Sequence, residues 1–225
     1  MNLYHYIHST LINAISEKFP EIDLSGIRIQ YQVSPVNRLY ISTAVSRVIM
    51  STSGNTHDSN FVAHELVSWI EPDPAFINPD IFISDGFINF QMSPSYIHRI
   101  LFTQPIFDRI LLCNSMDDII FQKKIIRLLD YADSFLPEKN VHHFSQYPTL
   151  NQLETSIITL IVFTEFTQQE NSQRFIVNSL VTLLKKYYFE VPVLTNDAIV
   201  TDVRIRLIKQ ACAALYQQIK KAQPT

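Results

Sequence analysis

Ser172–Leu194 reads SQRFIVNSLVTLLKKYYFEVPVL. Phe175, Ile176, Leu180, Leu183, Leu184 and Tyr187 recur at three- and four-residue steps, which places them on one stripe of a helix. The stripe ends in Lys185-Lys186-Tyr187-Tyr188-Phe189, a basic pair followed by three aromatics. Pro192 stops the helix, because proline lacks the N–H that the ladder needs and restricts the residue before it. A second long helix is predicted from about Ile199 to Lys221. Its apolar stripe is Val203, Leu207, Ala211, Ala214, Leu215 and Ile219.

Upstream of this pair the helical pattern continues. Ile119 to Phe135 places Ile119, Ile120, Ile126, Leu129 and Ala132 on one side of a helix. Pro137 to Pro148 reads as a loop. Thr149, with Gln152 three residues on, resembles a capping box that opens a helix to about Phe166. The carboxy-terminal half is therefore expected to be a bundle of about four helices.

The amino-terminal half mixes both periodicities. Leu3, Tyr6, Ile7, Leu11, Ala14, Ile15 and Phe19 form a helical stripe ended by Pro20. Ile27, Ile29, Tyr31 and Val33 alternate with polar residues, as in a half-buried strand. Leu39 to Met50 is ambiguous between helix and strand, and Ser51 to Asn60 reads as a polar loop. Phe61 to Ile70 predicts a helix with Phe61, Val62, Leu66 and Ile70 inward; Pro72, Pro74 and Pro79 punctuate a connector. Ile81 to Met92 has Asp85-Gly86 between two alternating runs, a strong hairpin signal. Ser93-Pro94 then opens a helix to about Leu112, interrupted at Pro105.

Composition narrows the function classes. The 225 residues, 47% of them hydrophobic, suffice for one large or two small packed units. Net charge is −3, but it is unevenly placed. Residues 1–118 carry six Lys/Arg against twelve Asp/Glu, and residues 119–225 carry twelve against nine. That asymmetry points to two units with different partners. Cys113 and Cys212 both sit inside apolar helical patterns and read as buried thiols of a reducing compartment. The longest apolar run, Ile157 to Phe163 with one Thr, is far short of the roughly 20 residues a membrane span needs. The amino terminus lacks the basic region and cleavage site of a signal peptide, so a cytoplasmic location is expected. Only three glycines occur, Gly26, Gly54 and Gly86, at least 25 residues apart. A phosphate-cradling loop needs two or more close together, so no nucleotide cofactor is expected.

Two stretches resemble the flanks of the arginyl-tRNA synthetases. At the carboxy-terminal end, Tyr187-Tyr188-Phe189, two residues, then Pro192-Val193-Leu194 resembles the Phe-Tyr-Asn, two residues, Pro-Val-Leu of the family's anticodon-binding (DALR) domain. Arg204, Leu207-Ile208 and Leu215 to Ile219 resemble the family's following helix. Phe189 stands where the family has Asn, and Gln218 where it has Gly. Earlier, Gly86-Phe87-Ile88-Asn89-Phe90-Gln91-Met92 resembles the Pro-Gly-Phe-Ile-Asn-Phe-x-Leu strand of the family's amino-terminal domain. The family's Gly-Asp before Tyr40 is absent, the spot being Asn37-Arg38-Leu39. Between the two flanks stands only Asn114-Ser115-Met116-Asp117-Asp118. The catalytic core, with its His-Ile-Gly-His and Lys-Met-Ser-Lys-Ser signatures, is missing.

The resemblance implies an α+β fold: a small, mostly antiparallel domain over residues 1–113, then an all-α helical domain over 114–225. It implies a non-catalytic tRNA-binding or tRNA-like RNA-binding protein. The alternative is a protein-interaction module that keeps the scaffold without RNA. Candidate RNA contacts are Lys185, Lys186, Tyr187 and Tyr188, which combine stacking faces with cations, and Lys209, which extends a basic face. Phe87 and Asn89 share one side of a strand and in the family lie against the tRNA elbow. Against this stands the plain reading in which the aromatics are core and Asn89 satisfies a turn. No catalytic residue, metal ligand or cofactor site is expected. His5 and His8, His57 and His64, and His142-His143 lie outside any zinc-type spacing, and Asp117-Asp118 reads as an exposed connector.

Overall fold

The computed structural model describes residues 2–34, 39–53, 58–103, 123–130, 150–166 and 170–222. They fall into two compact units, Met1–Arg99 and Ile100–Thr225. The expected connector Asn114–Asp118 lies outside the described residues, as do Cys113, His57, His142 and His143.

The first unit opens with α1 (Leu3–Lys18), whose first turn is capped by the Asn2 side chain accepting from His5 N. Leu3, Ile7, Leu11, Ala14 and Ile15 are buried, as the stripe requires. A four-stranded antiparallel sheet follows, β1 (Tyr31–Ser34), β2 (Tyr40–Thr43), β3 (Phe82–Ser84) and β4 (Phe87–Gln91), in the order β1-β2-β4-β3. The expected strand from Ile27 is shorter than its alternation. Ile27 N donates back to Leu24 O in a one-turn 3-10 helix, and of this stretch only Tyr31–Ser34 pair with β2. The ambiguous Leu39–Met50 divides. Tyr40–Thr43 pairs with β4, then Arg47 N and Val48 N donate to Ala44 O and start α2 (Val45–Ser53). Ser51–Ser53, expected as loop, are the last residues of that helix.

α3 (Ser59–Trp69) is capped by Asp58 and buries Val62, Ala63 and Leu66. Phe61 was expected inward and is instead 47% exposed. The reason is helix phase: 62, 63, 66 and 70 define the buried stripe, and 61 lies outside it. The Asp85-Gly86 turn has φ of 50° and 74°, the left-handed pair a two-residue hairpin demands. Both neighbouring helices hold it. Ser46 Oγ donates to Gly86 O, Arg47 donates to Asp85 O, and Gly86 N donates to Asn60 Oδ1 at 2.7 Å. α4 (Pro94–Phe102) begins at Ser93, whose hydroxyl accepts from Tyr96 N at 3.0 Å. The rest of the helix expected to Leu112 lies outside the described residues.

The second unit is helical. Residues 123–130 are α5, followed by α6 (Gln152–Phe163), α7 (Glu170–Glu190) and α8 (Ala198–Ala222). In α5 the buried residues are Ile125 and Leu129; Ile126, expected inward, is half-buried. The capping box of α6 is Asn151 with Glu154, two residues beyond the expected Thr149 with Gln152. α7 buries Ile176, Leu180, Leu184 and Tyr187, whereas Phe175, expected on that stripe, is 66% exposed. α8 buries Val203, Ile205, Leu207, Ile208, Ala211, Ala213 and Leu215; Ala214, expected inward, is half-buried. α6, α7 and α8 pack pairwise around this core. Cys212 on α8 is half-buried, and burial pushes its thiol up to about 12. No described helix is long and apolar enough to cross a membrane.

Candidate RNA-binding surface

The last turn of α7 is set by what Tyr187 does. Its ring is fully buried, and its hydroxyl donates to Glu154 Oε1 at 2.8 Å. The same oxygen accepts from Arg204 Nε at 3.0 Å. Glu154 Oε2 accepts from Asn151 N at 2.9 Å, closing the capping box of α6. Arg204 also donates through Nη1 to Pro192 O at 2.7 Å. Glu154 is 4% exposed, so its charge is buried but well supplied with donors, the condition under which such burial is tolerated. Burial, and then the Glu154 carboxylate, push the Tyr187 phenol well above its ordinary value. Tyr187 is thus a core residue, and its ring has no face open to a base. In the sequence it belongs to the apolar stripe and also reads as a stacking candidate; tertiary burial keeps the first role.

With Tyr187 inward, helix geometry directs its neighbours outward, each residue turning about 100°. Phe189 points away from the core and is 69% exposed. Tyr188 is half-buried beside it, the two rings edge to face at 5.5 Å. Lys185 is half-buried one turn earlier, and Lys186 is exposed with its ammonium 4.0 Å from Glu190. At side-chain exposures of 53% and 56% that pair is loose and contributes little. Lys124 of α5 brings its ammonium over the Phe189 ring, 5.5 Å from the centroid. Lys123 and Arg127 are exposed on the same short helix.

This joins Lys185, Lys186 and Tyr188 of the sequence-derived set with Phe189 and Lys124, which that reading missed. The signal for Phe189 is its place as the third aromatic after the basic pair; nothing in the sequence links it to Lys124, sixty-five residues away. Lys209 is half-buried on α8, five residues past Arg204 and hence about 7.5 Å farther along the axis.

In the first unit, Phe87 and Asn89 do share the face of β4 opposite to Ile88 and Phe90, which are buried. Asn89 is committed within the sheet. Its Oδ1 accepts from Ser42 Oγ, and its Nδ2 donates to Phe82 O at 3.0 Å and Phe87 O at 3.3 Å. Phe87 is half-buried and lies under the Arg47 guanidinium, 4.5 Å from the ring centroid. The polar groups of this face are spent on holding the hairpin and β2 together.

The histidines of α1 are likewise occupied. His5 Nδ1 is 2.6 Å from Asn2 Oδ1, and His8 Nδ1 is 3.0 Å from the Tyr31 hydroxyl with its ring stacked on Tyr4. Among the described residues, no three His, Cys, Asp or Glu side chains come together as a metal-ligating group.

Comparison of the chain with protein-family models, with curated proteins and with solved structures finds no match.

Proposed function

We propose that this chain is a non-catalytic RNA-binding protein, with tRNA or a tRNA-like RNA as its ligand, and that the end of α7 is where it holds the RNA. The observation that carries the reading is the exposed Phe189 ring beside Tyr188 with the Lys124 ammonium over it, Lys185 and Lys186 lying one turn earlier on the same helix. An unstacked base supplies a π face for the aromatics, and its flanking phosphates supply charge for the lysines. Neither an apolar core nor a simple solvated helix end needs that combination. The likeness of both flanks to arginyl-tRNA synthetase supports the choice of tRNA.

A second reading, protein interaction, draws on the first unit. Phe61, Trp69 and Phe82 are each about half exposed there, and residues 1–99 carry nine Asp/Glu against five Lys/Arg. That balance disfavours a polyanion at this unit.

The test is to sequence the RNA that copurifies with the full chain and to titrate the chain with unfractionated tRNA. Enrichment of tRNA, and binding on the order of micromolar at physiological salt, are expected from so few cations. An absence of binding at about 50 mM salt, where the electrostatic term is strongest, overturns the RNA reading in favour of the protein one.

A further inference from the structure

We propose that Glu154 is the positioning residue of the α7 surface: the buried Ile176, Leu180 and Leu184 set the phase of the helix body, and one carboxylate on α6 holds the last turn to that phase, and so decides which aromatics face solvent. The inference rests on the RNA reading for its functional meaning, but its structural content stands apart from it. Four segments meet at Glu154. These are its own helix start through Asn151 N, α7 through the Tyr187 hydroxyl, α8 through Arg204 Nε, and, by way of the same arginine, Pro192 O beyond the end of α7. Val191 N donates to Tyr187 O at 2.9 Å, so the residue pinned by Glu154 is also the one that closes the last turn.

The arrangement matters because Tyr187 and Phe189 lie on nearly opposite sides of the helix, about 200° apart. Any rotation that frees Tyr187 turns Phe189 toward the core and sweeps Lys185 off the same surface. An apolar side chain at 154 would fill similar space but would accept several settings of the last turn of α7. A buried carboxylate accepts only the one that brings its donors within hydrogen-bond reach. The exposed pair Lys186–Glu190 is too loose to impose the rotation instead.

The experiment uses the full chain with Tyr187→Phe, Glu154→Gln and Glu154→Leu, the first two preserving shape. Hydrogen exchange is followed along α7 without RNA, and affinity is measured for unfractionated tRNA, alone and with Phe189→Ala added. Glu154→Leu should speed exchange at Tyr188–Val191 about tenfold or more while Leu180–Leu184 stay protected. It should weaken tRNA binding roughly 5- to 100-fold, and Phe189→Ala should then cost nothing further, since the ring is already misplaced. Glu154→Gln, whose one oxygen still accepts from Tyr187 and Arg204 while the bond from Asn151 N is lost, should restore binding to within about threefold of the native chain.

Unchanged exchange at Tyr188–Val191 in both Tyr187→Phe and Glu154→Leu overturns the proposal, as does uniform loosening of the whole helix. So does a full additional loss from Phe189→Ala in the Glu154→Leu background. If the native chain binds no tRNA, the RNA reading falls, and the exchange pattern alone decides whether Glu154 sets the α7 end.

Discussion

Replacing Tyr187 by phenylalanine removes one oxygen and leaves the packing of a fully buried ring in place. The lost bond runs 2.8 Å to a carboxylate that is 4% exposed. Bonds to charged groups contribute about 1.5–3 kcal/mol. Glu154 Oε1 keeps Arg204 Nε at 3.0 Å, so no acceptor is orphaned and the lower figure, about 1.5 kcal/mol, applies. Unfolding entropy of about 2.1 cal/mol/K per residue, over the 126 residues of Ile100–Thr225, converts this to a fall in Tm of about 6 °C. Circular dichroism melts of the full chain read it directly, with the transition of the helical unit shifting and that of the first unit holding. Glu154→Ala should cost more, about 3–5 kcal/mol, because it strands Arg204 and the phenol and opens the capping box. A Tyr187→Phe shift of under about 2 °C would refute the network as a source of stability. A loss of RNA affinity with no thermal shift would mean that the phenol faces the ligand after all.

High pH should destabilise the helical unit through the same phenol: folded Tyr187 holds its proton, whereas the unfolded tyrosine releases it near pH 10, so stability is full below about 10 and falls above it. Urea midpoints at about pH 8 and pH 10.5 should therefore drop more for the native chain than for Tyr187→Phe, and equal drops would refute the assignment. Phe189→Ala or Tyr188→Ala should weaken tRNA binding about 5- to 100-fold with little thermal effect, because a stacked base contributes about 1–3 kcal/mol and neither ring is fully buried. Lys185→Ala with Lys186→Ala should flatten the dependence of log affinity on log salt; an unchanged slope would place the phosphates elsewhere. Gly86→Ala should lower the stability of the first unit by about 2–4 kcal/mol in urea unfolding, combining the left-handed penalty with a Cβ built only 2.5 Å from Ser59 Oγ.

Much of the architecture follows from local chemistry that a single chain displays. The hairpin is fixed by Asp85-Gly86, because few other pairs accept two positive φ values at low cost. The limits of α1 follow from Asn2 as its cap and Pro20 just past its end, and Pro192 keeps α7 from running on. The shared face of Phe87 and Asn89 follows from the two-residue period of a strand.

What local chemistry leaves undecided is any choice between two nearly equal states, and there a distant partner decides. Leu39–Met50 became strand and then helix because β4 offers a pairing edge to Tyr40–Thr43 and to nothing after it. Phe61 and Phe175 each stand one residue, about 100°, ahead of the first buried position of their helices; their apolar character alone does not tell that they fall outside the stripe. In Lys185–Phe189 the sequence supplied the aromatics and the cations without saying which ring faces in. Glu154, thirty-three residues before Tyr187, and Arg204, seventeen after it, turn that tyrosine toward the core; Phe189 is left in solvent under Lys124. A buried hydrogen bond and its desolvation depend on groups brought together only by folding, so the division between core and surface at this helix end belongs to the tertiary structure.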